Sequence, residues 1–403
     1  MTHPVENKHI VLGVTGSISA YKAAEIASRL TQSGALVDVI LTAAATQFIT
    51  PLTFQSVTGR KAYVEADLWG GEGHVTHIGL GHSADLLLVA PASANTIAKL
   101  AHGIGDNLLT VTALAAHCPL VIAPAMDAGM FSHPATQANV EVLKQRGAIL
   151  IGPAEGHLAS GLVGLGRLVE PIDILGQVRF LLSRSGPLKG RKIVVSAGGT
   201  QEPIDPVRII TNRSSGKQGY AVAQAALDYG AEVVLVSTPT ALRVPDGCRL
   251  VSVQSAAQMH QAVLNETSRA DVLIMAAAVA DFRPAQAAAQ KIKKQSGPPR
   301  LVLEPTIDIL ASVARSRAQS GFPRRVIGFA AESQSLLENA RAKLAAKSLD
   351  MIVANDISAA DAGFEVSTNR VSLLTPDGQV KSLPLQSKEA VAEALLEQVA
   401  AWF

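Results

Sequence analysis

Asp281 and Arg283 stand directly after the small-residue run Ala276-Ala277-Ala278, and Lys291, Lys293 and Lys294 follow shortly after. A carboxylate able to meet Mg²⁺ or a base edge, beside several ammonium groups, suits polyphosphate chemistry. It offers counter-charge to a triphosphate and to the transition state of its displacement. The basic tetrapeptide at Lys291–Lys294 also reads as a plain solvated surface. Upstream, Asn212-Arg213-Ser214-Ser215-Gly216-Lys217-Gln218-Gly219 has the look of a phosphate loop. It fails the Walker pattern, because Thr211 stands at the first Gly position and Gln218 at the Ser/Thr position. Its backbone N–H groups, at the start of a helix, remain able to bind an anion, or they mark only a capped helix start.

The first half of the chain offers a different chemistry. Small and hydroxyl-bearing residues cluster at Gly13–Ser19, Thr42-Ala43, Ala90–Asn95 and Ala123–Asp127, each directly after an apolar run. Such turns leave helix N-terminal N–H groups free for a phosphate. The glycine spacing is G-x-x-G rather than the dinucleotide G-x-G-x-x-G, and ordinary capped turns explain it equally well. His77 lies in the Gly-rich stretch Gly70–Leu80 and could transfer a proton near these turns. His74 and His77 have a metal-like spacing, but no carboxylate or cysteine set accompanies them.

These residues need elements to hold them. Strands are expected at His9–Val14, Ala35–Leu41, Ala84–Ala90 and Pro119–Ala123, with helices at Tyr21–Leu30, within Ala43–Thr58, after Ser93 and at Pro134–Arg146. A polar, Gly- and Pro-containing stretch between Leu182 and Lys192 reads as a linker. Beyond it, strands are expected at Arg191–Ala197, Ala231–Ser237, Ala270–Ala277, Val326–Ala330 and Asp350–Ala354, with a helix at Gly219–Tyr229. The alternation predicts an α/β fold of two doubly wound, Rossmann-like domains, residues 1–182 and 191–403, joined by 183–190. Ala285–Pro299 reads as a mobile surface loop. Ligands of such sheets sit beyond the carboxyl ends of the strands, where the clusters above fall.

Composition narrows the partners. With 403 residues, 48% of them hydrophobic, the chain can bury sizeable cores, and disorder is excluded for most of it. Thirty-five basic against 33 acidic residues leave +2, so no footprint for nucleic acid or anionic lipid is present. Cys118 and Cys248 form neither a C-x-x-C nor a disulfide framework. No apolar run approaches the ~18 residues of a membrane span, and the opening MTHPVENKHI lacks a cationic-then-apolar leader. The expectation is a cytoplasmic protein acting on small molecules.

Taken together, Ala197–Gly219 (AGGTQEPIDPVRIITNRSSGKQG), Ala276–Pro284 with Lys291–Lys294, Gly328–Glu332 (GFAAE) and Ala354–Asp356 (AND) resemble one family. It is the bifunctional flavoproteins of coenzyme A biosynthesis, a phosphopantothenoylcysteine decarboxylase fused to a phosphopantothenate–cysteine ligase. The resemblance covers about residues 8–400. It implies that the C-terminal half activates the carboxylate of 4′-phosphopantothenate with CTP and Mg²⁺ as an acyl-cytidylate, which the amine of cysteine then attacks. Carried over position by position, Met275, Ala276, Ala277 and Asp281 would form the base site, with Asp281 also the metal residue. Lys291, Ile307, Asp308, Ile309, Leu310, Phe329, Lys343 and Lys347 would complete the CTP contacts, and Asn212 would hold the intermediate.

The N-terminal half resembles the FMN-dependent cysteine decarboxylases, which oxidise the thiol to a thioaldehyde, lose CO₂ and return the electrons. Gly16, Ser17, Thr42, Ser93, Asn95 and Met126 fall at FMN contacts, and His77 at the catalytic histidine. Two positions depart. Asp127 replaces the asparagine of the PxMNxxMW motif, and Ser160 replaces the cysteine that protonates the enethiol. An ionised Asp127 would repel a substrate carboxylate, and Ser160 is a far weaker acid than a thiol of pKa ~8.5. The resemblance also implies a homo-oligomer, possibly a dodecamer. Two other readings are a ligase whose N-terminal half is an FMN-binding scaffold, and a nicotinamide dehydrogenase. The second requires a G-x-G-x-x-G with an acidic residue ~20 positions on, which neither half supplies.

Overall fold

The computed structural model describes residues 3–69, 75–293, 300–332, 334–356 and 366–403. His74 and Lys294 lie outside these. The chain divides into two compact units, Thr2–Leu182 and the stretch from Ser183 to Phe403.

In the first unit, strands β1 (His9–Val14), β2 (Leu36–Leu41), β3 (Ala62–Tyr63), β4 (Leu86–Ala92), β5 (Leu120–Pro124) and β6 (Ile149–Leu150) form one parallel sheet in the order β3-β2-β1-β4-β5-β6. Alternating side chains leave opposite faces of the pleat. Ile10, Leu12 and Val14 join a core with Ala23, Ile26 and Leu30 of helix α1 (Ala20–Gln32) and with buried residues beyond Pro171, while Val11 faces a second core. That second core takes Leu80 from α3 (Thr76–Ser83), Ile97 from α4 (Ala94–His102), Leu109 from α5 (Leu108–Ala115) and Leu143 from α7 (Pro134–Gln145). Burial on both faces explains why these strands read as unbroken apolar runs. The strand order reverses between β1 and β4, which opens a crevice beyond Val14 and Ala92.

The stretch expected to be helical at Ala43–Thr58 is a short 3₁₀ turn at Ala45–Gln47 followed by α2 (Pro51–Thr58). Pro51 cannot continue a helix from upstream but is tolerated in the first turn. After β6, an antiparallel hairpin of β7 (Ala154–His157) and β8 (Val163–Arg167) lies over the short α6 (Ala128–Ser132), and α8 (Pro171–Ser183) closes the unit.

The second unit builds an eight-stranded sheet from β9 (Lys192–Ala197), β12 (Glu232–Ser237), β13 (Arg249–Ser252), β14 (Val272–Met275), β17 (Arg325–Glu332), β18 (Met351–Asp356), β19 (Thr368–Leu374) and β20 (Val380–Ser387). The order is β13-β12-β9-β14-β17-β18-β19-β20. It is parallel as far as β18, but β18–β19 and β19–β20 are antiparallel, so this sheet is mixed. The Thr375-Pro-Asp-Gly378 turn, with Gly378 at φ 85°, reverses the chain between the last two strands. Helices α9 (Lys217–Asp228), α10 (Ala256–Thr267), α11 (Ile309–Ser320), α12 (Leu336–Ala346) and α13 (Lys388–Ala400) cover the sheet. Two small antiparallel pairs, β10–β11 (Gln201–Pro203, Ile209–Thr211) and β15–β16 (Phe282–Pro284, Leu303–Pro305), stand off the main sheet.

The expected mobile loop is held down over its described part. Ala285 N–H donates to Val302 O, Ala288 N–H to Ile204 O, and Ile292 N–H to Asp205 Oδ2 at 3.1 Å. Its composition offers few apolar anchors, but its backbone groups find partners in the two small pairs. Both cysteines are unpaired, and burial pushes the Cys248 thiol up to about 12, so it is inert at neutral pH. Among the described residues, no helix is long and apolar enough to cross a membrane.

Candidate active sites

In the second unit a cavity of about 830 Å³ opens past the carboxyl ends of β14, β17 and β18. Its size suits a nucleotide-sized ligand. Sequence-predicted residues meet there: Asn212, Met275, Ala276, Ala277, Asp281, Ile307, Asp308, Ile309, Leu310, Phe329, Lys343 and Lys347 all line it. Lys291 does not line it, and its exposed side chain stands on the 291–293 segment tethered to Asp205.

Local structure explains the convergence. Asn212 Nδ2 donates to Val279 O at 3.1 Å and Ala278 O at 3.4 Å, pinning its turn to the residues after β14. Thr306 Oγ1 donates to Ala280 O at 2.6 Å and so brings the start of α11 beside Asp281. Asp308 caps α11 by accepting from Ala311 N–H at 2.9 Å and pairs with Lys347, the residue that ends α12. Burial works to raise the Asp308 carboxyl, but the Lys347 ammonium and the Ala311 N–H outweigh it and hold it below the usual carboxylate range. The cavity thus presents ammonium groups and two carboxylates around apolar walls at Met275 and Phe329. Among the described residues no group of three or more metal-ligating side chains exists. The Asp281 and Asp308 carboxylates on the cavity wall are oxygen donors of the type Mg²⁺ takes alongside a substrate's phosphates.

Asn369 and Lys388, which sequence reasoning missed, also line the cavity, as do Lys217 of the Asn212–Gly219 loop and Asn355 of the Ala354–Asp356 string, to which it gave no role. Lys388 begins the last helix, far along the chain, and only the antiparallel β19–β20 excursion returns it to the carboxyl edge.

In the first unit the crevice beyond β1 and β4 is stitched by Thr15 of the Gly13–Ser19 turn. Its buried Oγ1 donates to Pro91 O at 2.8 Å and accepts from Ser93 N–H at 2.9 Å. Ser93 Oγ in turn caps α4 by accepting from Thr96 N–H. Thr42 N–H donates to Val14 O at 3.0 Å, so its turn is fixed beside the same crevice. Gly16, Ser17, Thr42, Ser93 and Asn95 thus follow the carboxyl ends of the neighbouring strands β1, β2 and β4. A Cβ on Gly16 would fall 2.5 Å from Ala44 Cβ, so only glycine lets these two turns close together. Helix α3 leads into β4, which puts His77 at the helix end nearest the carboxyl edge. His77 Nδ1 is buried with no hydrogen-bond partner among the described residues. A set of helix-start N–H groups with small side chains, and a half-buried imidazole whose Nδ1 lacks a partner among the described residues, fits a phosphate-bearing flavin.

The two departures from the decarboxylase motifs touch each other. Ser160 Oγ donates to Asp127 Oδ2 at 2.6 Å, while Asp127 Oδ1 accepts from Gly129 N–H at 2.9 Å as the cap of α6. The Ser160 hydroxyl, then the Gly129 N–H, holds the Asp127 carboxyl below its usual range, so it is ionised at neutral pH. The hairpin carrying Ser160 sits close: Met126 N–H donates to Gly166 O at 2.9 Å, and a Cβ on Gly166 would lie 2.3 Å from Met126 O.

Comparisons with known proteins agree with this division. Residues 1–183 match the Flavoprotein family and residues 188–403 match the DNA/pantothenate metabolism flavoprotein C-terminal domain. The chain is 45% identical over 400 residues to the coenzyme A biosynthesis bifunctional protein CoaBC of Bacillus subtilis, covering 98% of both chains. It is 45% identical over 404 residues to the protein of the same name from Mycobacterium tuberculosis, covering 97% of this chain and 96% of that one. Among solved structures, the C-terminal domain of a CoaBC protein is 41% identical over 54% of this chain and 98% of that one, with a TM-score of 0.46.

Proposed function

The chain belongs to the family of bifunctional coenzyme A biosynthesis proteins, and from that premise we propose how its own residues divide the work. The second unit joins 4′-phosphopantothenate to cysteine at the expense of CTP, and the first decarboxylates the product to 4′-phosphopantetheine. The observation that carries the ligase assignment is the cavity beyond β14, β17 and β18, where Asp281, Asp308, Lys343 and Lys347 converge with Asn212. Met275–Ala277 and Phe329 receive the cytosine, while the ammonium groups neutralise the triphosphate as the substrate carboxylate displaces pyrophosphate. Asp281 and Asp308 would hold Mg²⁺, which would supply further counter-charge to the triphosphate. Asn212 steadies the acyl-cytidylate, and Lys291 approaches from the 291–293 segment when substrate is present. The amine of cysteine then attacks the activated carbonyl, forming the amide and releasing CMP.

In the first unit Gly16, Ser17, Thr42, Ser93, Asn95 and Met126 hold FMN, whose bound isoalloxazine supplies two-electron oxidation and reduction. His77 accepts the substrate thiol proton through its ring nitrogen. Asp127 and Ser160 face the substrate as a hydrogen-bonded pair. Full-length relatives named for two activities favour this reading over a flavin-binding scaffold or a dehydrogenase. Exposed Phe282, Leu301, Val302 and Leu303 around the β15–β16 pair support a homo-oligomer. A cytoplasmic location follows from the pathway's soluble substrates.

The test is mass spectrometry of the products formed by FMN-loaded protein given 4′-phosphopantothenate, cysteine, CTP and Mg²⁺. The expected product is 4′-phosphopantetheine. Accumulated phosphopantothenoylcysteine without CO₂ would refute the decarboxylase half, and absence of pyrophosphate would refute the ligase half.

A further inference from the structure

Asn212 and Asp281 have separate tasks in the ligase cavity, yet one buried tract supports both. Gly198-Gly199-Thr200 leaves the carboxyl end of β9 and runs beside the residues that follow β14, and none of the three lines the cavity. Ala278 N–H donates to Gly198 O at 2.8 Å, and Thr200 N–H donates to Ala278 O at 3.2 Å. Ala280 N–H then donates at 2.9 Å to Oγ1 of Thr200, which is fully buried. With its carbonyl taken by Thr306 Oγ1, Ala280 is held through both of its backbone groups, and Thr306 N–H donates to Asp281 O at 2.9 Å. The backbone is thereby fixed on both sides of the Asp281 side chain. The other flank of the tract carries the Asn212 turn. A Cβ on Gly199 would fall 2.8 Å from Asn212 O and 3.3 Å from Thr211 Oγ1, so only glycine lets the turn seat this close. Asn212 Nδ2 closes the ring by donating to Val279 O at 3.1 Å.

An acyl-cytidylate is a mixed anhydride. Water attacking its carbonyl would return 4′-phosphopantothenate and CMP after the pyrophosphate has already left. CTP is used productively only if the intermediate stays bound and shielded from water until an amine arrives. Removing the Thr200 hydroxyl leaves Ala280 N–H buried without its acceptor, which drives the segment before Asp281 to move. Filling Gly199 displaces the backbone at Asn212 instead. We infer that Gly198–Thr200 is a positioning element that couples the two steps of the ligation. Thr200 sets Asp281 for the activation of the carboxylate, and Gly199 sets Asn212 to retain the acyl-cytidylate until cysteine attacks. This role rests on the ligase reading and adds to it residues outside the cavity wall.

The test measures the pyrophosphate, CMP and amide formed by the full-length protein at low and at saturating cysteine. Wild-type protein should form pyrophosphate and amide in equal amounts. Gly199→Ala should release several-fold more pyrophosphate than amide at low cysteine, with an unchanged KM for CTP. Saturating cysteine should restore the balance, because the amine then outruns water. Thr200→Val should show the opposite split, a KM for CTP raised about 10-fold or more with pyrophosphate and amide still in balance. Thr200→Ser keeps the hydroxyl and should match wild type. Asn212 lies on an exposed turn, so Asn212→Ala folds even where Gly199→Ala does not. It should leak in the same way, and adding Gly199→Ala to it should leak no more. Balanced products from Gly199→Ala or Asn212→Ala would overturn the coupling. So would an unchanged KM for CTP in Thr200→Val, or a Thr200→Ser protein as impaired as Thr200→Val. Wild-type protein that releases no pyrophosphate would instead bring down the ligase reading, and this role with it.

Discussion

At the scale of single residues, charge state decides what two sites can do. Asp127 is ionised and already accepts from Ser160 Oγ and Gly129 N–H, so it meets a substrate carboxylate as a like charge. Replacing it by the amide supplies a donor instead. Asp127→Asn should raise kcat/KM for phosphopantothenoylcysteine by about 10-fold, the worth of one hydrogen bond to a charged group. CO₂ release under saturating FMN reads this, and a slower variant would mean that the pair with Ser160 is itself required. Lys388 gives a second prediction, on stability. Its ammonium titrates near 8 in the folded chain, but at ~10.4 in the unfolded one. Between those values the unfolded state holds more protons, so this lysine's penalty is full below pH 8 and fades as the pH rises to 10.4. Lys388→Met should therefore raise the ligase unit's melting temperature by roughly 5 °C at pH 7 in the absence of substrates, with the gain shrinking toward pH 10.4. A pH-independent difference between the two proteins would contradict the burial of the charge.

At the scale of elements, two contacts that join distant segments carry the sites. The β7–β8 hairpin reaches Met126 only because Gly166 has no side chain, since a Cβ would fall 2.3 Å from Met126 O. Gly166→Ala should lift the hairpin and remove at least 10-fold of the CO₂ release, because positioning errors of about 1 Å cost that much or more. Pyrophosphate release should be untouched. In the second unit Asp205 accepts from Val207, Arg208 and Ile292 N–H groups, and it pairs with the Arg208 guanidinium that donates to Ile292 O, so it holds the 291–293 segment both directly and through Arg208. Asp205→Ala should loosen that segment and raise the KM for CTP several-fold without unfolding the sheet, as steady-state kinetics and circular dichroism would register. Both contacts show what the sequence made legible and what it hid. Strands such as His9–Val14 and Glu232–Ser237 are readable because both faces are buried and their apolar runs are unbroken. The turn residues Gly16, Ser93 and Asn212 are readable because they directly follow such strands. The Ser160–Asp127 pair and the return of Lys388 are long-range, |i−j| being 33 for the first, and no local period encodes them. The antiparallel edge at β19–β20 is not legible in the sequence because β20 is largely exposed and β19, though mostly buried, opens on the polar Thr368-Asn369-Arg370, so neither gives an unbroken apolar run.

At the scale of the whole molecule, the apolar cores keep to their own units. Ile10, Leu12 and Val37 lie in a core of the first unit, and Val194, Val234 and Leu273 in a core of the second. The first core includes Ile174 and Val178, so it needs α8 complete to Ser183. The segment expected to be a linker divides unequally. Gly186 packs its Cα side against Tyr229 O, where a Cβ would lie 2.4 Å away, and Leu188 is fully buried with its N–H donating to Tyr229 O at 2.8 Å. Gly186 and Leu188, upstream of Arg191, thus pack within the second unit, which the fold begins at Ser183. A fragment of residues 1–183 should keep FMN, and a fragment of 186–403 should release pyrophosphate from CTP and form the amide. A fragment of 191–403 lacks Leu188 and leaves its pocket empty, a loss of about 2–5 kcal/mol if the site behaves as a buried leucine truncated to alanine. For a unit of this size that lowers the melting temperature by roughly 5–15 °C. Differential scanning calorimetry of the two C-terminal fragments decides the point: equal melting temperatures would mean that the second core is complete without its leading segment.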